Sequence, residues 1–333
     1  MIQVETLTKS FPGATAIEEL NFSIERGEIV GFLGPNGAGK TTTMRILTAF
    51  IRPTSGTAKV AGYDVELHPL EVRRNVGYLP ENVPSYGEMR VEEFLHYRAR
   101  LKGVPRRQAR ARIEEVIGRC GLGDVQHRIV EQLSKGYRQR LGLAEALVHD
   151  PPILILDEPT VGLDPNQIRQ VRSQITELGR QHTILLSSHV LPEVEQVCGR
   201  IIIINKGRIV AQDRPEVLRQ SLEGGASLLV ELKSPDAAPL RQEEAREALA
   251  GLEGVTSVDA EAVDGHVRAQ LGLERGRDLR EEVFRLAVSR GWILLELSQR
   301  SMTLEEIFVN LTTREPGEEE AARAAEEARE GVA

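Results

Sequence analysis

The sequence predicts an α/β protein, a parallel sheet covered by helices, followed by a smaller α+β domain. Three observations carry that prediction. Wholly apolar runs of strand length, such as Ile153–Leu156 and residues 201–204, suit parallel strands buried on both faces. Segments with apolar residues at helical spacing alternate with those runs over the first 220 residues. Past residue 224 the pattern changes, and 333 residues is longer than one core usually sustains.

In chain order, residues 28–33 form an apolar run ending in a Gly-rich turn. Residues 41–51 read as a helix with Met44, Leu47, Phe50 and Ile51 on one face. Charge-rich helical sequence fills 91–118. A helix starts near Ser134, with Leu141, Ala144, Leu147 and Val148 aligned, and leads to the Ile153–Leu156 strand. Residues 166–178 are helical, with Ile168, Val171, Ile175 and Leu178 on one side, and 183–187 and 201–204 are further buried strands. Composition shifts at Gly224-Gly225. Residues 228–232 then read as a strand and 242–252 as a helix, and two strands flank the hairpin dipeptide Asp264-Gly265. A helix over 278–290 and a strand over 292–297 complete the order βαββαβ, which fits a ferredoxin-like domain. Thr303 and Glu306 make a capping box for a closing helix with Leu304, Ile307, Phe308 and Leu311 on its apolar face. The expected boundaries are 1–222, with a helical subdomain at about 82–150, then 226–313, then a disordered acidic tail at 315–333.

Composition excludes several classes. Apolar residues are 41% and charged residues 28%, which rules out disordered and fibrous chains. No run approaches the roughly 20 apolar residues of a spanning helix. The start carries neither a basic nor an apolar leader region, and Cys120 and Cys198 sit in no metal spacing, so a cytosolic chain with two reduced thiols is expected. The remaining histidines, His68, His96, His127, His149, His182 and His266, form no ligand spacing. Net charge is −8, and the tail's seven Glu against two Arg supply five of those charges. The near-neutral body argues against a duplex-binding protein. The basic run Arg98, Arg100, Lys102, Arg106, Arg107, Arg110 and Arg112 is either a solvated helical face or a surface for anionic headgroups or an acidic partner.

The chemistry concentrates at Gly34-Pro35-Asn36-Gly37-Ala38-Gly39-Lys40-Thr41, which fills every fixed position of the P-loop pattern between a buried strand and a helix. Its glycines let successive backbone N–H groups point into a concave anion nest. The helix start adds its positive end, Lys40 a point charge for β- and γ-phosphates, and Thr41 a hard oxygen ligand for Mg²⁺. The bland alternative is a Gly-rich turn that binds nothing, and the strand–loop–helix context weighs against it. Ile153–Leu156 carries Asp157 and Glu158 to the carboxyl end of a strand, where ligands bind in open α/β sheets. Asp157 would hold the metal, and Glu158 would orient or deprotonate an attacking water. The stretch between Lys40 and Asp157 is far longer than one βα unit needs, so a helical segment is inserted. It ends in Leu133-Ser134-Lys135-Gly136-Tyr137, either a second anion-binding helix start or an ordinary capped helix.

The ordered set resembles the ABC ATPases. Residues 133–137 resemble their Leu-Ser-Gly-Gly-Gln signature, with Lys135 and Tyr137 as departures and Ser134 and Gly136 retained. Phe11 stands where the family stacks an aromatic on adenine. Gly162-Leu163-Asp164 looks like the D-loop, and His189 after Ser187-Ser188 looks like the switch histidine. Alone, Phe11 would read as a core aromatic and His189 as a satisfied histidine. After Tyr78-Leu79-Pro80 the family usually places Gln, and here the residue is Glu81, a carboxylate able to ligate Mg²⁺ or its water. The resemblance covers residues 1–220 and is strongest to ATP-binding subunits of bacterial exporters of the drug-resistance and gliding-motility branch. It implies ATP and Mg²⁺ as cofactors. Catalysis would fall to Lys40, Glu158 and His189, with Thr41, Asp157 and Glu81 on the metal. The nucleotide would lie on Phe11, Gly34 to Thr42, Ser134, Gly136 and Asp164. It also implies a second ATP-binding subunit as partner and separate membrane permease subunits docked on residues 84–98. The expected location is the inner face of the cell membrane, with no nucleic acid bound. The rival readings are a soluble ABC ATPase acting on ribosomes or DNA, and a nucleotide-sensing module without turnover.

Overall fold

The computed structural model describes residues 1–83, 86–222, 227–235, 239–263, 265–274 and 277–300. Pro84, the Gly224-Gly225 shift, Asp264, the helix expected from Thr303 and the tail from Glu315 lie outside the described residues. The chain divides into two compact units, one over Met1–Pro215 and one beginning at Glu216.

The first unit opens with β1 (Ile2–Phe11) and β2 (Ala14–Ile24), then β3 (Ile29–Leu33), α1 (Lys40–Leu47), β4 (Ser55–Val60), β5 (Tyr63–Asp64), α2 (Pro69–Asn75) and β6 (Val76–Leu79). The inserted helices are α3 (Val91–Leu101), α4 (Arg106–Arg119) and α5 (Lys135–Leu147). There follow β7 (Ile153–Leu156), α6 (Pro165–Leu178), β8 (Thr183–Ser188), α7 (Leu191–Glu195), β9 (Arg200–Asn205), β10 (Arg208–Asp213) and α8 (Pro215–Leu222), which crosses the unit boundary.

Two sheets share one core. The larger has the order β10-β9-β3-β8-β7-β6, parallel from β9 to β6 with β10 antiparallel at its edge. Helices and a second sheet cover both faces, so β7 is apolar throughout, β8 carries Ile184, Leu185 and Leu186 between Thr183 and Ser187, and every residue of both strands is buried. The second sheet, β2-β1-β4-β5, is antiparallel. Leu7, Ile17 and Leu20 from it meet Phe32, Ile155, Leu185 and Ile202 of the parallel sheet and Met44 of α1. Bulges interrupt β1 at several registers, and that breaks the alternation by which a strand is read from sequence.

One expected helix is corrected. The helix expected over 41–51 stops at Leu47, and Phe50, placed on its buried face, is instead 70% exposed. Ala49 takes a left-handed φ of 53°, its N–H bonds to Ile46 O, and Phe50 N–H bonds to Arg45 O. This is a Schellman ending with Ala where Gly is usual, so no glycine announced it. The charged stretch 91–118 is two helices, parted at Gly103 (φ 76°) and Pro105. Within the basic run, Arg98 and Lys102 turn inward onto the buried Glu145 carboxylate, and only part of that run is a solvated face. Elsewhere in the unit, β3 and α7 touch so closely that a Cβ on Gly31 would lie 2.1 Å from Val194 Cγ1.

The second unit holds β11 (Ser227–Lys233), α9 (Gln242–Ala250), β12 (Val255–Val263), β13 (His266–Leu273), α10 (Arg280–Ser289) and β14 (Ile293–Arg300). Its sheet is antiparallel in the order β12-β13-β11-β14. Leu228, Val230 and Leu232 pack with Val267, Ala269 and Leu271 against Leu249 and Val283 of the two helices. Among the described residues, no helix is long and apolar enough to cross a membrane, and no cluster of three or more His, Cys, Asp or Glu side chains could hold a metal.

Candidate active site

The loop between β3 and α1 is shaped by close approaches. Gly37 and Gly39 have φ of 81° and 108°, and a Cβ on Gly39 would lie 2.7 Å from the Ala16 carbonyl oxygen. A Cβ on Gly34 would lie 2.4 Å from the Ile204 carbonyl oxygen. Only glycine fits both places, and the loop is thereby held against β2 and β9. It forms one wall of a cleft of about 470 Å³.

The cleft brings together most of the residues singled out from sequence. Pro35, Asn36, Gly37, Gly39, Lys40, Thr41, Thr42, Glu81, Glu158 and His189 line it, with Ala16 and Val161 beside them. Lys40 is 6% exposed, and its Nζ donates to Gly34 O at 2.7 Å and Pro35 O at 3.2 Å. The same Nζ lies 3.3 Å from Glu158 Oε1, while Glu158 Oε2 lies 2.9 Å from His189 Nδ1. One carboxylate therefore joins the P-loop lysine to the histidine after β8. Glu158 takes a left-handed φ of 48°, a conformation costly for a residue with a side chain, and its N–H donates to Ser187 Oγ at 2.9 Å.

Asp157 is fully buried behind this group. Ser187 Oγ donates to its Oδ1 at 2.6 Å, whereas Oδ2 has no hydrogen-bond partner. Burial raises the Asp157 pKa above the usual carboxylate range, and the hydroxyls of Ser187 and Thr41 pull it back. A buried carboxylate oxygen without a partner, next to the Thr41 hydroxyl, is a donor set that suits a hard divalent cation. The residues present therefore fit Mg²⁺. Burial and the Asp157 charge together push the Tyr78 phenol up to about 12, so it stays protonated.

The singled-out positions outside the cleft lining are Gly34, Ala38 and Asp157, together with Phe11, Ser134, Gly136 and Asp164. Phe11 ends β1, is 46% exposed and has Lys9 Nζ 5.1 Å from its ring centroid. Ser134 caps α5, its hydroxyl accepting from Tyr137 N at 3.4 Å. A Cβ on Gly136 would meet Gln167 Oε1 at 2.4 Å, so α5 starts hard against α6. Asp164 caps α6, with Oδ1 accepting from the N–H groups of Asn166 and Gln167 at 3.0 Å each. Sequence reasoning missed Ser187 as the residue that serves both Asp157 and Glu158. Its signal was a serine at the end of a wholly buried strand parallel to the one that carries them.

The sequence pattern described as "ABC transporter" matches residues 17–161. The ABC transporter ATP-binding protein YxlF of Bacillus subtilis (strain 168) is 40% identical over 220 residues, 66% of this chain and 73% of that protein. The daunorubicin resistance ATP-binding protein DrrA3 of Streptomyces coeruleorubidus is 33% identical over 323 residues, 96% of this chain and 98% of that protein. A solved structure described as the ATP binding subunit of an ABC transporter superposes with a TM-score of 0.61 at 29% identity, covering 66% of this chain and 92% of that one. With its P-loop cleft and its cation-ready aspartate, the chain belongs to the ABC transporter family, as an ATP-hydrolysing subunit that takes ATP and Mg²⁺.

Proposed function

We propose that two copies of this chain close head to tail around ATP and that closure drives substrate movement through separate membrane subunits, in the direction of export. The observation that carries the reading is the placement of Ser134 and Gly136. They start a 13-residue helix, yet they do not line the cleft that holds Lys40, Thr41 and Glu158. A γ-phosphate on Lys40 keeps an anionic face open to a second positive helix start, and Ser134 of a partner copy is complementary to it. ATP would bring its own charge to that seam, and hydrolysis would remove the bridge.

The contacts of Lys40, Glu158 and His189 support the following roles. Lys40 leaves Glu158 for the phosphates. Glu158 then holds or takes the proton of the attacking water, while His189 keeps the carboxylate oriented and faces the γ-phosphate. Thr41, Asp157 and Glu81 would hold Mg²⁺, which would supply positive charge to offset that of the phosphates. Phe11 would stack on the base, and Asp164 would meet the partner's cap.

Export is supported by the drug-resistance relative that aligns over nearly the whole chain. The membrane subunit would dock along residues 84–98. A cleft of about 730 Å³ adjoins it, lined by Phe50, Tyr78, Arg98 and Leu101 among others. In this reading the first unit is the ATP-binding domain. The second is a ferredoxin-like accessory domain, supported by its β12-β13-β11-β14 order. The protein would sit peripherally on the inner face of the membrane.

The test is Glu158→Gln in the full chain. ATP binding should survive, turnover should fall by two to three orders of magnitude, and an ATP-dependent dimer should accumulate in sedimentation. A monomer with unchanged turnover refutes the arrangement. Recovery of the protein with ribosomes rather than with solubilised membranes would move the reading to the ribosome-acting class.

A further inference from the structure

We propose that Glu81 makes nucleotide capture conditional on the metal. Its carboxylate disfavours the phosphates of a metal-free nucleotide and favours a metal-bound one. The inference rests on the cleft taking ATP with Mg²⁺. Glu81 lines the cleft with Lys40, Thr41, Thr42 and Glu158. Its position follows from the sheet. Leu79 pairs with Leu156, and Leu79 O accepts the N–H of Asp157 at 2.8 Å, so Glu81 and the Asp157-Glu158 pair leave neighbouring strands at the same end.

The charges then fall on one side. Among the described lining residues Lys40 is the sole Lys or Arg, and Glu158 already engages it at 3.3 Å. Glu81 adds a second lining carboxylate, and Asp157 stands behind with Oδ2 lacking a partner. A polyphosphate arriving alone meets two like charges that Lys40 cannot both offset. A divalent cation on the phosphates turns the same carboxylates into partners. Glu81 is exposed, so solvent screens it and the effect is modest, roughly fivefold in each direction.

The test compares the full chain with Glu81→Gln and Glu81→Asp, using a fluorescent ATP analogue with an imido bridge between its β- and γ-phosphorus atoms. Affinity is read in EDTA and in excess Mg²⁺. For Glu81→Gln, metal-free binding should tighten about fivefold and Mg²⁺-supported binding should weaken about fivefold. Glu81→Asp should keep the parent's order. Mn²⁺ titration of the nucleotide complex by electron paramagnetic resonance should show weaker Mn²⁺ in Glu81→Gln. Shifts of both affinities in one direction, or none, overturn the inference while leaving the ATP site intact. A parent chain that binds no nucleotide in either buffer removes the ATP reading and this inference with it.

Discussion

Ser187 Oγ donates to Asp157 Oδ1 at 2.6 Å, and that bond leaves Asp157 Oδ2 as the oxygen without a protein partner. The same hydroxyl accepts the N–H of Glu158 at 2.9 Å, so one side chain on β8 holds both the Asp157 carboxylate and the Glu158 main chain just past β7.

Ser187→Ala should therefore cost more than a surface hydroxyl. It strands a buried carboxylate oxygen and a buried N–H together, and loss of about 1–3 kcal/mol of unfolding free energy is expected. Turnover should drop as well, since Glu158 loses the bond that fixes its left-handed backbone. Urea unfolding and phosphate release measure the two effects, and a variant as stable and as active as the parent contradicts this role.

His189→Gln removes the ring nitrogen 2.9 Å from Glu158 Oε2. If the ring orients the carboxylate, kcat falls by about two orders of magnitude while nucleotide affinity changes little. Equal losses in both would mean the histidine serves binding instead.

His149 supplies a pH signature. Burial and the nearby Lys102 charge lower its pKa to about 3, from 6.5, and the ring stays neutral in the fold. The unfolded chain binds the proton more readily, so this group's stabilisation is complete above 6.5 and is lost as pH falls through about 3. Its share of the slope approaches about 1.4 kcal/mol per pH unit. His149→Asn should flatten the unfolding free energy between pH 6 and pH 4, taken as roughly that window. An unchanged acid slope would place the titration elsewhere.

The thiols should be silent in the native state. Burial pushes Cys120 up to about 12 and Cys198 up further. At pH 8 a disulfide-based thiol reagent should label neither until the chain is unfolded, when both react. Rapid labelling of the native protein would show that one of the two is reached by solvent.

Much of the site was legible because its parts are local. Each phosphate-binding or acidic element is a short run whose neighbours explain it: a strand into a Gly-rich loop, an apolar run into Asp157-Glu158, a serine opening α5. What stayed hidden depends on pairs distant in sequence or on backbone without a marker residue. The Lys40–Glu158–His189 chain joins three segments that only the parallel sheet brings together. The stop after Leu47 turns on a left-handed Ala49, and nothing in the sequence marks it. Arg98 and Lys102 look like surface charges until Glu145 is seen buried beneath them. The strands before β3 escaped notice because bulges spoil their alternation.

Gly31 has a consequence for anyone who would alter this protein. Where β3 passes beneath α7, bare main chain touches Val194 with no room for a single added carbon. The short helix just after His189 thus rides directly on the strand whose far end feeds the P-loop. Such a joint has no slack to be filled. Consensus-style stabilisation that swaps glycines for alanines should skip this position, and a displacement of the helix would reach the strand undamped.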